Sequence, residues 1–306
     1  MPASQLNRME TALKIGQKLD QRVMEKSITS WMTANASDFD FKGNGTFRIP
    51  SVRLSGLGDY RKDLGYPMGS VTMEYKDYTC EYDRGRSFLL DAMDVDESNF
   101  VVSAANIMTQ FTDEYVVPEV DAVRFARLAT VATEQGHAET GYTPAAADIY
   151  SKLLKAMYDV RDAGYDDIVA HVSSGVLQAL AVSSEFNHNL RHDDFEAGRI
   201  YSKVAYLDDM PLILTPQARF YSAIDLLDAV TDGEEKGGYQ KASTGKEINF
   251  VVVGKNVPAA IEKHEVKTIL GPGEHTLGDC WFMGSRIYHD LLIKNTLRDG
   301  VYINTK

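Results

Sequence analysis

The feature that most restricts what this chain can fold into is a pair of long strand-like segments around an extended turn. TFRIPSVRL (46–54) and VTMEYKDYTCEYDRGRSFLLD (71–91) flank SGLGDYRKDLGYPMGS (55–70), where Gly65, Pro67 and Gly69 favour turns. A long two-stranded ribbon is marginally stable in water by itself. It therefore has to lie on something, and its own chain does not obviously supply that support. The tip carries Asp59, Arg61, Lys62 and Asp63, a cluster of mixed sign. On the return strand Val71, Met73 and Tyr75 share one parity, whereas Tyr78, Cys80 and Tyr82 share the other. That slip predicts a bulge near Lys76 and Asp77.

The preceding segment has the same lack of support. Residues 5–26 are helix-like, with Leu6, Met9 and Leu13 in one row, Ile15, Leu19 and Val23 in another, and Gly16 interrupting them. ITSWMTANASDFDFKGNGTF (28–47) then reads as extended. Residues 1–45 show no compact core, so they are expected to form an arm that orders against a partner.

From residue 92 the pattern turns helical. Asp96 and Ser98 are capping candidates before Phe100, Ile107, Met108 and Phe111. Pro118 suits the first turn of a further helix, in which Val120, Val123, Phe125, Leu128 and Val131 cover more than one face and Gly136 is the stop. Such width predicts packing against a sheet on one side and a second layer on the other. A third helix runs from Thr143-Pro144 to Gly164 with Ile149, Leu153, Leu154, Met157 and Val160 as its stripe. Short strands and helices follow: DIVAHVSS, GVLQALAVSSEF, IYSKVAYLDDMPLILTP and INFVVVG. Residues 232–247 read as a polar, Gly-rich surface loop, and the last forty residues as two or three long strands. The class is α+β.

Bulk properties exclude several functions. The chain has 306 residues, enough for about two domains, and a net charge of −12. That acidity disfavours a nucleic-acid binder working through a broad basic face. No apolar run approaches the ~20 residues of a membrane span, and the first twenty residues lack a signal-peptide core. Cys80 and Cys280 are the two cysteines, which suits a reducing cytoplasm and cannot supply a four-thiolate zinc site.

No catalytic, cofactor or metal site emerges. HNLRHDD could set His188 and His192 one helical turn apart, with Asp193 and Asp194 beside them, but the glutamate of the zinc-protease pattern is absent. Polar surface accounts for it better. Asp91, Asp94, Asp96 and Glu97 lack the ligand spacing and glycine of a calcium loop, and helix capping explains them. Gly254-Lys255 lacks the upstream frame of a phosphate loop, and Gly56-Leu57-Gly58 precedes a turn instead of a helix. The serines lie in no nucleophile-elbow context. His171 and His289 sit in strand-like stretches and read as core or interface residues.

Five stretches, in order, resemble the major capsid proteins of tailed bacteriophages, which share the Hong Kong 97-like fold. They are KLDQRVMEKSITSWM (18–32), GLGDYRKDLGYPMGSV (56–71), EYDRGRSFLLDAMDVDES (81–98), VVPEVDAVRFARLATVA (116–132) and WFMGSRIYHDLLIKNTLRDGVYINTK (281–306). The resemblance implies an N-terminal arm (1–45), an extended loop with its base strands (46–92), and a peripheral domain (93–150) with a spine helix at 117–135. It further implies an axial domain (151–257) and C-terminal peripheral strands (258–306). It implies a non-enzymatic shell protein that assembles with itself as hexamers and pentamers into an icosahedral head enclosing double-stranded DNA. A separate scaffolding protein, a portal and a decoration protein are the further partners implied, with the virion as location and the host cytoplasm as place of assembly. Many relatives begin with a long cleavable scaffolding segment, whereas here the arm starts almost at Met1. The alternative is an encapsulin-like nanocompartment shell holding protein cargo. Expected inter-subunit contacts are Asp59, Arg61, Lys62, Asp63, Tyr66, Arg84 and Arg86, and the expected spine core is Val120, Val123, Leu128 and Val131.

Overall fold

The computed structural model describes residues 23, 26–36, 40–43, 46–63, 65–91, 100–183, 190–197, 200–270 and 278–306. A 3-10 turn (Ser30–Ala36) precedes β1 (Asp40–Gly43), β2 (Thr46–Leu54), β3 (Val71–Thr79) and β4 (Tyr82–Asp91). A helical rod follows, made of α1 (Phe100–Phe111), a π turn (Thr112–Val116) and α2 (Val117–Glu134). Next come β5 (Ala138–Glu139), α3 (Ile149–Asp162), β6 (Ile168–Val172) and α4 (Ser174–Val182). Then β7 (Leu190–Ala197), β8 (Ile200–Leu207) and β9 (Met210–Leu214) lead to a hairpin of β10 (Ile224–Leu227) and β11 (Gly238–Lys241). β12 (Ile248–Gly254), β13 (Pro258–Leu270), β14 (Cys280–Ile293) and β15 (Val301–Thr305) complete the order.

Burial on both faces organises the centre. A seven-stranded sheet has the order β5-β15-β12-β6-β9-β8-β7. Its middle strands, INFVVVG and IVAHV, are buried throughout, and their near-continuous apolar runs, interrupted by Asn249 and His171, are what a sheet covered on both sides requires. Val251, Val253 and Val169 face α2, Trp31 and Met32. Phe250, Val252, Ala170 and Val172 face α3 and α4. The α3 stripe holds Ile149, Leu153, Met157 and Val160, all buried. Ser173 caps α4 by accepting from the Val176 N–H. At the end of β12 the chain passes so close to the Tyr165 ring that a Cβ on Gly254 would lie 2.9 Å from it. Glycine there serves packing.

Pro118 does not open a helix. The rod is continuous from residue 100 to 134, and the proline sits just beyond the π turn, where the Val117 N–H reaches back to the Thr112 carbonyl. Proline inside a regular helix removes one hydrogen bond and strikes the carbonyl four residues earlier. The widened turn relieves both, as π turns commonly do. The capping candidates Asp96 and Ser98 lie outside the described residues.

Three sequence expectations change. Residues 27–36, assigned to an arm without a core, belong to the central core: Trp31 and Met32 are buried beneath α2. The grouping of 258–306 also divides. β13 and β14 join β4 in a separate three-stranded sheet, but β15 returns to the central sheet between β12 and β5. β12 carries a fully buried face on each side, and only another extended segment can satisfy its free edge. Within residues 232–247, expected to be loop, Gly238–Lys241 pairs with β10.

Candidate assembly surface

The ribbon of β2 and β3 is regular. Its register runs from Thr46↔Thr79 to Leu54↔Val71 without a shift, so there is no bulge at Lys76 or Asp77. The parity slip marks a change of sheet: β3 ends at Thr79, and β4 pairs with β14. Facing pairs such as Val52↔Met73 and Leu54↔Val71 place Val52, Leu54, Val71, Met73 and Tyr75 on one side. All five are exposed. Arg53, Thr72, Glu74 and Lys76 occupy the other side. The alternation is that of a strand with one face against a core, yet here the apolar face is exposed like the polar one.

The tip extends this surface. Asp59, Arg61, Lys62, Asp63 and Tyr66 are all exposed, and Leu57 and Met68 are fully so. Its shape comes from local contacts. Arg61 and Gly65 exchange backbone hydrogen bonds, Gly65 takes φ +76°, and Tyr60 meets Tyr66 edge-on at 5.1 Å. Arg61 pairs with Asp63 at 3.1 Å, an exposed pair worth little.

The base is fixed where the tip is not. Phe47 and Cys80 pack on Ile261. Buried Asp290 accepts from the Tyr78 hydroxyl (2.9 Å), the Glu81 N–H (3.0 Å) and the Leu291 N–H (2.7 Å). Burial, with Asp290 nearby, pushes the Cys80 thiol up to about 12, which keeps it unreactive. Arg84 is spent inside its own chain, 2.7 Å from Glu119 and donating to the Leu227 and Gly238 carbonyls. Arg86 is exposed and donates to the Glu235 carbonyl.

The helix α2 is buried around most of its circumference. Val120, Val123, Leu128 and Val131 are in the core. Phe125 and Leu128 face the central sheet, and Val120 packs on Ile287 of β14. Within the same helix the sequence reading missed a polar joint. Asp121, fully buried, accepts from Ser27 Oγ and Thr29 Oγ1 at 2.6 Å each and pairs with Arg219 at 3.0 Å. Arg124, also buried, donates to Thr29 Oγ1 (2.9 Å) and pairs with Glu262 at 2.7 Å. The signal was legible: two charges three residues apart inside an apolar stripe must be buried and paired.

Elsewhere the candidate chemistry dissolves. Residues 190–197 are a strand, so His192 is not on a helix, and His188 lies outside the described residues. No group of acidic, histidine or cysteine side chains among the described residues could hold a metal ion. No helix among them is long and apolar enough to cross a membrane. His171 is a core residue, accepting from Trp31 Nε1 at 3.2 Å, and burial lowers its pKa to about 3.

The sequence matches no protein-family model and no curated protein. Solved structures do match. The asymmetric unit of the bacteriophage PhiM1 mature capsid aligns over 86% of this chain and 82% of its own, with a TM-score of 0.54 at 13% identity. A structure from Microbacterium phage Oxtober96 aligns over 89% and 90%, with a TM-score of 0.49 at 13% identity. A virus-like particle from Pyrococcus furiosus aligns over 90% and 97%, with a TM-score of 0.46 at 8% identity. The chain has an α+β fold with a long helix clamped between sheets. In particular it has the fold of the PhiM1 capsid subunit, the class that the sequence resemblance implied.

Proposed function

We propose that this chain is a tailed-phage major capsid protein, which assembles with itself into the icosahedral head shell around double-stranded DNA and catalyses no reaction. The observation that carries this reading is the exposed apolar face of the ribbon, Val52, Leu54, Val71, Met73 and Tyr75. A ribbon amphipathic in this sense has its polar side where water is and its apolar side where a neighbour fits. The tip cluster of Asp59, Arg61, Lys62, Asp63 and Tyr66, with Arg86, supplies both signs of charge, as contact with identical subunits requires. Hexamers and pentamers are the expected capsomers. A scaffolding protein, a portal and a decoration protein are proposed partners, and the virion is the proposed location. Net acidity suits a container, because a basic lining would hold phosphates during packing.

The test is a Leu54→Ser/Met73→Ser variant viewed by negative stain beside the unaltered chain. The unaltered chain is expected to form closed shells or capsomer rings. The variant is expected to keep its urea midpoint and lose the shells. Undiminished shells from the variant, or none from the unaltered chain with its scaffolding partner, would overturn the reading.

A further inference from the structure

Below the ribbon, β4, β14, the α1–α2 rod and the β10–β11 hairpin enclose a cavity of about 220 Å³. His289 of β14 lines it, is buried, and among the described residues has no hydrogen-bond partner at either Nδ1 or Nε2. The ring stacks on Tyr82 at 5.6 Å, so one face is covered while both nitrogens stay unsatisfied. A buried polar group left in that state is unfavourable, and a ligand that hydrogen-bonds to it relieves that penalty. The lining combines apolar and polar groups: Val120 and Ile287 with Phe88, Phe111 and Tyr115 on the apolar side, and the Arg84–Glu119 pair and Ser285 on the polar side. Phe88 and Phe111 meet edge-on at 5.0 Å, and Phe111 stacks on Tyr115 at 5.8 Å. Exposed Arg86, Asp228 and Lys236 mark the open side.

We propose that this cavity binds a single phenolic ring, held by the aromatic wall, with its hydroxyl donating to the free nitrogen of His289. Size fits: an apolar cavity of about 150 Å³ takes benzene, and this one has room for a substituent. Aromatic walls favour an aromatic guest through edge-to-face and offset contacts. A carboxylate suits it poorly, since the guanidinium of Arg84 is already spent on Glu119 and two carbonyls. Burial and the nearby Arg124 and Arg84 lower the His289 pKa to about 3, so the imidazole is neutral and offers an acceptor. The ring can come from a free phenol or from a tyrosine side chain of another subunit.

The site stands independently of assembly, so p-cresol is titrated first into the dissociated full-length subunit, with toluene as control. Binding is followed by thermal midpoint and by the His289 ring-nitrogen chemical shifts. Expected are saturable p-cresol binding with movement of those shifts, at least ten-fold weaker toluene binding, and loss of both in Leu227→Phe, which fills the cavity without touching His289. Absence of saturable binding means the cavity holds water only and overturns the proposal. Equal affinity for toluene removes the histidine from it and overturns it likewise. Assembled shells then separate the sources: exclusion of p-cresol assigns the site to a neighbour's tyrosine, and continued binding assigns it to a free phenol. Failure to form shells bears on the capsid reading and leaves the subunit titration intact.

Discussion

β12 and β3 are both rich in valine and aromatic residues, and they have opposite fates. Every residue of β12 is buried, between α2 on one face and α3 and α4 on the other. Every residue of β3 except Tyr78 is exposed. Apolarity alone therefore does not place a strand inside its own subunit. What separates them is pattern. INFVVVG is apolar but for Asn249, a near-continuous run that suits a doubly covered sheet, whereas VTMEYKDYT alternates and leaves one face to be matched elsewhere.

This contrast is broken most severely at the polar joint beneath the central sheet. Asp121→Ala leaves Arg219, Ser27 and Thr29 without their acceptor, and is expected to cost about 3–5 kcal/mol in urea unfolding. A midpoint within experimental error of the parent would remove the joint from the core. Leu128→Ala is expected to cost about 2–5 kcal/mol, because the side chain is wholly enclosed. Met73→Ala on the exposed ribbon is expected to change subunit stability by less than about 0.5 kcal/mol. Equal effects at Leu128 and Met73 would erase the distinction between the enclosed core and the exposed ribbon.

Acid probes the same interior. His171 and His289 have pKa values lowered from 6.5 to about 3 by burial, so the unfolded chain binds protons that the folded one refuses. Their contribution is fully present above pH 6.5 and is lost as pH falls toward 3, at about 1.4 kcal/mol per pH unit for each histidine. A urea midpoint that stays flat from pH 6.5 to 4.5 would show that neither ring is sealed from water. The smallest subunit effect is expected at the tip. Arg61→Glu with Lys62→Glu should alter subunit unfolding by less than about 0.5 kcal/mol, because the Arg61–Asp63 pair is exposed, while reducing shell yield. Normal shell yields would place the tip outside any interface.

Much of this was legible in the sequence, for physical reasons. The ribbon (though not its unbroken register), the α3 stripe, the buried β6 and β12, and the wide face of α2 follow from local periodicity. Long-range demands were not legible. Trp31 and Met32 read as arm because their partners, α2 and the central sheet, lie a hundred residues or more away. Pro118 read as a helix start because proline usually is one, and the π turn that accommodates it has no strong local signature. For the assembly surface, the exposed tip was visible from its turn residues and charges. Arg84 read as an inter-subunit contact, since its intrachain partners Glu119, Leu227 and Gly238 are distant in sequence.

The position of β15 between β12 and β5 bears on when the subunit can come into being. A nascent chain that has already emitted residues 1–300 still has an open edge at β12 and nothing to join β5 to the sheet. Its middle can form helices and hairpins on the ribosome, but the sheet closes only after residues 301–305 emerge. Pairings of such long sequence separation are slow. Completion of the interior is thereby delayed until residues 301–305 have left the ribosome.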